Sequence, residues 1–183
     1  MNQSDHHARQ VRLQEIIDGL KEKEKVQVLF ICAGNICRSP YAEMYFEQII
    51  AGTGSCLNDK IHVASGGFIT NKEIHPFTKR ALLERGVATA RIDQFHPRRL
   101  KKENKIFLIE ADIIIAPKKT HLDILLNKKY RHKAFLFSEL LDDGFKDIED
   151  PALIKEYSEY KKVLEMMDPY LEDFAKKLAK EIC

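Results

Sequence analysis

The chain has 183 residues, of which 44% are apolar and 32% are charged. This length and composition predict one globular domain around a single core, and they exclude disordered, collagenous and fibrous proteins. Thirty basic residues against 28 acidic ones leave a net charge of +2, too little to indicate a nucleic-acid or membrane-surface partner. The apolar stretch that begins at Val28 ends at Gly34, well short of the roughly 18 residues that a transmembrane helix needs.

The N-terminus and the cysteines indicate where the protein works. Asp5, His6 and His7 stand where a secretory signal would carry a basic and then an apolar segment, so we expect a cytoplasmic protein. Two adjacent histidines without further ligands do not form a metal site. A reducing compartment and a domain of this size favour free thiols over two disulfides. The four cysteines are Cys32, Cys37, Cys56 and Cys183.

The first third of the chain predicts a helix, a strand, a tight loop and a second helix. Residues 5–24 form an amphipathic helix, and 25–32 form an apolar, β-branched strand of the kind that lies inside a parallel sheet. Ser39 is the expected N-cap of the second helix, with Pro40 at its first position. The apolar residues at helical spacing in the first helix are Leu13, Ile16, Ile17 and Leu20.

The rest of the chain continues this alternation. We expect strands at 61–64, 111–116 and 133–137, a helical pattern between the last two, and a helix at 76–84. A final helix from about 153 to 180 must kink or break at Pro169. The predicted fold is a three-layer α/β/α domain with a four-stranded parallel sheet, helices on both faces and right-handed crossovers. Its predicted limits are 25–183, and 1–24 is a helical extension.

The loop after the first strand carries the chemistry. Ligands of such folds collect where strands end and helices begin, which here is Cys32 to Ser39, with the sequence Cys-Ala-Gly-Asn-Ile-Cys-Arg-Ser. A loop of this length can turn its amide groups inward and form an anion cradle. Gly34 permits close backbone approach, and Asn35 tolerates a left-handed conformation.

Two side chains give this cradle a reaction. Cys32 would be a thiolate near neutral pH, because amide donors, Arg38 and the Ser39 hydroxyl all favour the charged sulfur. Arg38 can grip two oxygens of a tetrahedral oxyanion and follow them into the transition state. The loop therefore indicates nucleophilic chemistry on a phosphoryl group, and no metal or other cofactor is needed.

The stretch from Val28 to Glu43 resembles the signature of the low-molecular-weight protein tyrosine phosphatases. Further support comes from Ala-Ser-Gly at 64–66 and Glu-Asp-Pro at 149–151, and the resemblance covers about 25–183. It implies that Cys32 is the nucleophile and that Arg38 binds the phosphoryl group. The phosphate-binding loop that it implies also contains Ala33, Gly34, Asn35, Ile36, Cys37 and Ser39.

The family's general acid is an Asp followed by Pro, which corresponds to Asp150. Pro151 restricts the backbone of Asp150 to an extended form that can aim its carboxyl into the cradle, where the leaving oxygen needs a proton. Asp147 and Glu149 are the competing candidates for this role.

Several features of the chain bear on the substrate. Phosphotyrosine-specific relatives usually carry aromatic residues after the Asp-Pro pair, where this chain has Ala152 and Leu153, so the cleft should be more open; Phe68, Tyr157 or Tyr160 are candidate substitutes. Relatives that dephosphorylate arginine carry Thr at the position of Ile36. Thioredoxin-coupled arsenate reductases need further cysteines in the stretch 110–126, which has none.

The main hypothesis is hydrolysis of phosphomonoesters, foremost of protein phosphotyrosine, through a cysteinyl phosphate. An arsenate reductase and a phosphoarginine phosphatase remain as alternatives. The expected partner is a phosphotyrosine protein or a small aryl phosphate, with no nucleic acid, no membrane, and a monomeric or weakly dimeric state. Cys37 is either a packing residue or a redox partner that captures oxidised Cys32 in a disulfide.

Overall fold

The computed structural model describes residues 3–69 and 71–183, built around a four-stranded sheet. The strands are β1 (Val26–Cys32), β2 (Ile61–Gly67), β3 (Ile113–Ala116) and β4 (Ala134–Leu136). All neighbours are parallel, and the order across the sheet is β2-β1-β3-β4. In the centre of the sheet, Val28 of β1 lies opposite Val63 of β2 and Ile113 of β3. The predicted four-stranded parallel sheet is therefore confirmed.

Helices cover both faces of this sheet, as predicted for a three-layer fold. No helix in the described part of the chain is long and apolar enough to cross a membrane. The α-helices are α1 (Gln3–Leu20), α2 (Arg38–Gly52), α3 (Ser55–Lys60), α4 (Pro76–Glu84), α5 (Thr89–Asp93), α6 (Ile106–Glu110), α7 (Tyr157–Glu165) and α8 (Asp168–Ile182). Short 3₁₀ turns occupy Lys102–Lys105, Lys128–Lys133, Phe137–Leu141 and Pro151–Leu153, and a π turn occupies His121–Leu125.

The C-terminal helix and the crossover before β4 differ from the sequence-based expectation. The helix expected from residue 153 starts at Tyr157, because Pro151–Leu153 forms a 3₁₀ turn that the Asp150 side chain caps. It then divides into α7 and α8, with Pro169 in the first turn of α8, where a proline fits. The helical pattern at 122–125 gives only the π turn, too short to be a full crossover helix.

Strand β1 divides the core into two halves by its alternation of side chains. Val28 and Phe30 face one cluster, which also contains buried residues of α1, α2, α4, α7 and α8. Leu29 and Ile31 face the other, smaller cluster, formed with residues of the connections around β3. Because successive strand residues point to opposite faces, this near-continuous apolar strand is buried on both sides. Its last residue, Cys32, is thereby fixed at the carboxyl edge of the sheet.

Helix α1 packs on the rest of the chain. Leu13 and Ile17 are fully buried in the larger cluster, which was the expected outcome for the apolar face of this helix. Arg9 adds polar contacts: its guanidinium donates to the Glu139 carboxylate and, at 2.9 Å, to the Ala134 carbonyl. The predicted division into 1–24 and 25–183 stays a prediction, and the apolar face of α1 is part of the larger core cluster.

The expectation of four free thiols is wrong for two of them. Cys56 in α3 and Cys183 after α8 form a disulfide, with Cα atoms 6.0 Å apart. Both residues are exposed. No local pattern predicts this pairing, because 127 positions separate the two cysteines and the packing of α3 near the end of α8 brings them together. Cys32 and Cys37 are free and buried.

Candidate active site

The loop between β1 and α2, for which the sequence predicts an anion cradle, lies at the carboxyl edge of the sheet. Asn35 has a φ of 53°, the left-handed conformation that the sequence predicted for it. Such a residue reverses the chain and turns neighbouring amides inward. The amides of Phe68 and Ile69 donate to the Ala33 carbonyl at 2.8 and 2.9 Å, which fastens the loop to the segment after β2.

Cys32 sits inside this cradle with donors aimed at its sulfur. The amide of Asn35 donates to Sγ at 3.2 Å, and the Ser39 hydroxyl lies 3.0 Å from it. The residue is 2% exposed. Donors that converge on a cysteine sulfur are the arrangement that stabilises a nucleophilic thiolate.

Ser39 was expected to cap helix α2, and this expectation is wrong. The helix starts at Arg38 with Cys37 as its N-cap residue, and no side chain of the described residues caps it. The Ser39 hydroxyl instead accepts a hydrogen bond from Asn35 Nδ2 at 2.9 Å and contacts Cys32. The first turn of α2 therefore presents its amides and its positive dipole end to the cradle.

A buried polar network behind the loop holds Asn35 in place. Asn35 Nδ2 donates to the Ser65 hydroxyl at 2.7 Å, and Asn35 Oδ1 accepts from the amide of Arg98 at 2.7 Å. Ser65 in turn donates to the Glu43 carboxylate. All polar atoms of the Asn35 side chain thus have partners, as a fixed left-handed residue in a buried loop requires.

Glu43 anchors this network as a buried carboxylate. It is 1% exposed, and this burial raises the pKa of its carboxyl group. The Arg98 and Arg91 guanidinium groups and the Ser65 hydroxyl act in the opposite direction and lower that pKa. Arg91 Nη2 donates to it at 2.7 Å. No role was assigned to Glu43, Arg91 or Arg98 from the sequence. The one sequence signal that could have indicated a role for Glu43 is its position at the end of the signature stretch 28–43.

Arg38 and Asp150 meet at the mouth of the cradle. Arg38 is 1% exposed, and its Nη1 donates to the Ile148 carbonyl at 2.9 Å. Its Nη2 lies 2.7 Å from Asp150 Oδ2, and its Nε has no hydrogen-bond partner among the described residues. Arg38 also lines the pocket, so its Nε–H is available to donate to a bound oxyanion.

The two competing acids point elsewhere. Asp147 accepts from the amide of Lys119 at 2.8 Å. Glu149 pairs with Lys118 at 2.6 Å, and this hydrogen bond holds the pKa of Glu149 below its usual value. Asp150 is the one of the three that lines the pocket with Cys32.

The pocket above the sulfur has a volume of about 160 Å³, enough for a small planar group attached to a phosphoryl group. Its walls are largely apolar. Beyond the loop residues it is lined by Ile69, Asn71, Asp150 and Ala152. Leu153, at 93% exposure, stands next to it in the chain.

The candidate aromatic walls are mostly used elsewhere. Tyr160 is fully buried, and its hydroxyl lies 2.6 Å from that of Thr78. Tyr157 packs against Phe77 and under the Arg80 guanidinium. Neither tyrosine lines the pocket, and Ala152 forms part of its wall. The more open cleft expected from Ala152 and Leu153 stays a prediction.

Two further titratable groups lie close to the site. Burial raises the pKa of the Cys37 thiol to about 12, against the effect of a hydrogen bond with Tyr160. No role was assigned to His121 from the sequence. It is 3% exposed with no partner for Nδ1 among the described residues, and burial followed by the charge of Arg38 lowers its pKa to about 4.

The sequence of this chain is similar to those of known phosphatases. The profile of the low molecular weight phosphotyrosine protein phosphatase family matches residues 27–182. A protein-arginine-phosphatase of Bacillus subtilis is 27% identical over 158 residues, which are 85% of this chain and 99% of that protein. The low molecular weight protein-tyrosine-phosphatase YfkJ of the same organism is 30% identical over 141 residues, covering 73% and 85% of the two chains.

Solved structures agree with these relatives. A crystal structure of a YwlE mutant from Bacillus subtilis superposes with a TM-score of 0.72 at 26% identity, over 85% of this chain and 99% of the other. That of YfkJ gives 0.69 at 25% identity, over 87% and 98%. With its loop after β1 and a profile match from 27 to 182, this chain belongs to the low molecular weight phosphotyrosine protein phosphatase family.

Proposed function

We propose that this protein hydrolyses phosphotyrosine in proteins through a cysteinyl-phosphate intermediate, with Cys32 as nucleophile, Arg38 as phosphoryl-binding residue and Asp150 as general acid. The observation that carries the proposal is the convergence of these three side chains on one pocket. The contact between Arg38 Nη2 and Asp150 Oδ2 puts the carboxyl at the mouth, next to the guanidinium.

In this proposal each group performs one step. Cys32 attacks phosphorus from the floor of the cradle, while loop amides and Arg38 neutralise the charge on the equatorial oxygens. A phosphoryl group that takes over Arg38 Nη2 breaks the ion pair with Asp150. The freed carboxylate takes up a proton from solvent and then donates it to the leaving oxygen. In the second step, the Asp150 carboxylate accepts a proton from the water that attacks the cysteinyl phosphate, and inorganic phosphate leaves.

The walls of the pocket support an aromatic substrate. Ile36, Ile69 and Ala152 offer apolar surface to a flat ring above the cradle. A phosphoarginine substrate would place a guanidinium there, where Asp150 is the one carboxylate among the lining residues. Ile36 stands where the resemblance implies Thr for phosphoarginine enzymes.

A phosphoarginine phosphatase is the second candidate, because the arginine-phosphatase relative aligns over nearly its whole length. The positions of the cysteines in this chain argue against an arsenate reductase. Cys56 precedes the amino end of β2 and is bonded to Cys183, whereas Cys32 lies at the carboxyl end of the neighbouring strand. A seven-residue strand separates them by roughly 20 Å.

The roles are tested by substitution with an aryl phosphate as substrate. Cys32→Ser should abolish turnover, and Asp150→Ala should lower kcat by roughly 10²- to 10⁴-fold. Asp147→Ala is the matched control, since its carboxylate binds the backbone of Lys119 outside the pocket. Near-normal rates in Asp150→Ala together with a large loss in Asp147→Ala would move the general acid to Asp147.

The substrate is tested with matched phosphotyrosine and phosphoarginine peptides. We expect the higher kcat/KM for phosphotyrosine, and a shift towards phosphoarginine in Ile36→Thr. A preference of the unmodified protein for phosphoarginine would overturn the substrate assignment while leaving the chemistry of Cys32 in place. The cytoplasmic location and the monomeric or weakly dimeric state are part of the same proposal, and a cell-fractionation experiment and a sedimentation measurement test them.

A further inference from the structure

A second pocket, of about 330 Å³, lies beside the candidate active site. It opens between the segment after β2, the connection that leads into β3 and the π turn that follows β3. Its apolar lining residues include Phe68, Leu100, Leu108, Ile124 and Leu125. We name these residues, together with Lys101, Lys105 and Tyr130, the docking pocket.

The docking pocket adjoins the catalytic pocket through two consecutive residues. Ile69 lines the catalytic pocket and Phe68 lines the docking pocket. Both amides donate to the carbonyl of Ala33 in the phosphate-binding loop. A polypeptide that enters the catalytic pocket with one side chain can therefore place a nearby residue in the docking pocket.

The walls of this pocket are unusually apolar for a surface. Ile124 is 74% exposed and Leu125 is 39% exposed, and they belong to the π turn that forms one side of the opening. Apolar side chains clustered at the surface around a concave site are typical of a contact with another molecule.

Charge and hydrogen bonding define what the occupant must carry. Lys101 and Lys105 stand at the rim, both exposed, and neither forms an ion pair within residues 3–69 and 71–183. Tyr130 is 5% exposed, and its buried hydroxyl has no hydrogen-bond partner among the described residues. A buried polar group without a partner costs stability unless something satisfies it.

We propose that the docking pocket binds an aliphatic side chain of the phosphoprotein substrate, with a peptide carbonyl that accepts a hydrogen bond from the Tyr130 hydroxyl and an adjacent acidic residue paired to Lys101 and Lys105. This inference rests on the proposed phosphatase function and adds to it a substrate class, in which the phosphorylated residue is followed or preceded by an aliphatic–acidic pair. The catalytic pocket, with its single small cavity, selects the phosphorylated side chain, and the docking pocket selects its sequence context.

The test compares peptides with a small substrate that cannot reach the docking pocket. A series of phosphotyrosine peptides carries Leu-Glu at successive positions on either side of the phosphotyrosine, and an Ala-Ala series serves as reference. One register of Leu-Glu should lower KM by about tenfold, the factor for 1.4 kcal/mol. The same KM in every register would overturn the proposal.

Variants of the pocket then assign the effect. Lys105→Ser/Ile124→Ser should remove the advantage of the best peptide and leave aryl phosphate turnover unchanged. The matched control is Lys25→Ser/Ile109→Ser, which removes an exposed lysine and an exposed isoleucine that do not line the docking pocket. It should retain the peptide preference. Loss of preference in the control, or retention in the first variant, would contradict the assignment.

A third variant separates binding from folding. Tyr130→Phe removes the unpartnered hydroxyl, so the melting temperature should rise or stay the same, while KM for the best peptide increases. If Tyr130 has a purely structural role, its substitution would lower the melting temperature and leave KM unchanged, and Tyr130 would not belong to the docking pocket.

Turnover of an aryl phosphate tests the proposed function separately. If the protein does not hydrolyse an aryl phosphate, the phosphatase proposal itself fails. If it does, but shows no preference for any position of Leu-Glu, only the docking proposal fails.

Discussion

At the scale of single residues, His121 gives the protein a pH-dependent stability. Its pKa is lowered to about 4, first by burial and next by the charge of Arg38. Between pH 6.5 and 4 the unfolded chain therefore binds a proton that the folded chain does not, and stability falls as the pH falls through this range. A change from 6.5 to about 4 corresponds to about 3 kcal/mol.

Urea unfolding at pH 7 and pH 4.5 measures this effect. His121→Leu should lose less stability on acidification than the unmodified protein, because the group that takes up the proton is gone. His132→Leu, which replaces an exposed histidine, should lose as much stability on acidification as the parent. Equal pH dependence in the parent and His121→Leu would show that His121 is not the source.

Cys37 is the other residue near the site whose chemistry is set by burial. With a pKa raised to about 12 it remains a thiol at neutral pH, so peroxide should oxidise Cys32 first. Whether Cys37 then captures the sulfenic acid stays a prediction. The expected result is that dithiothreitol restores the peroxide-treated parent but restores Cys37→Ser poorly; equal recovery of both would leave Cys37 as a packing residue.

At the scale of elements, the end of β2 shapes the phosphate-binding loop. A Cβ at Gly67 would lie 2.8 Å from the Ala33 carbonyl oxygen and 2.8 Å from the Asn35 amide nitrogen, closer than folded proteins allow. Both are backbone atoms of the cradle, so the loop would have to shift. Gly67→Ala should lower kcat/KM for an aryl phosphate by roughly 10²-fold, the cost of an ångström-scale misplacement.

Gly52 supplies the matched control for this substitution. Gly52 is the last residue of α2, the helix that follows the phosphate-binding loop, and a Cβ there would meet nothing within 4 Å. Gly52→Ala should leave turnover unchanged and raise stability by up to about 1 kcal/mol. A fully active Gly67→Ala would mean that the loop yields without moving its donors.

The sequence predicted those elements whose signal is local. Strand β1, helix α4 and the left-handed Asn35 follow from periodicity, a proline at a helix start and loop composition. Ser39 was misassigned because a cap and a contact to a neighbouring sulfur look alike in sequence. Glu43 and Arg98 were not assigned a role, because their contact depends on how α2 packs beside β2. The disulfide depends on a pairing across 127 residues.

At the scale of the whole molecule, α1 covers a buried carboxylate as well as apolar surface. The Glu139 side chain is fully buried, and Arg9 Nη2 donates to it at 2.7 Å. Removing one partner of a buried ion pair leaves an uncompensated charge, which costs about 3–5 kcal/mol. Arg9→Met should therefore destabilise the protein strongly while leaving the phosphate-binding loop, at the carboxyl edge of the sheet, able to react.

Deletion of residues 1–22 extends this prediction to the proposed extension. The truncated chain should unfold at a lower urea concentration or associate through the surface of α8 that α1 covers, and its folded fraction should still hydrolyse an aryl phosphate. Circular dichroism, sedimentation and turnover on one sample distinguish these results. A folded, monomeric truncation without activity would show that α1 shapes the active site.

The disulfide makes global stability depend on the redox state. Cys56 and Cys183 close a loop of 127 residues, and in the chain-entropy account a link of this span stabilises the fold by up to about 5 kcal/mol. Both residues are exposed, so reductants reach the bond.

Dithiothreitol should lower the urea midpoint of the parent to that of Cys56→Ser/Cys183→Ser, and the midpoint of this double variant should not change with reductant. Turnover below the unfolding range should be the same in all three samples, because the bond lies at the opposite end of the sheet from Cys32. A midpoint that reductant does not move would show that the bond contributes little to stability.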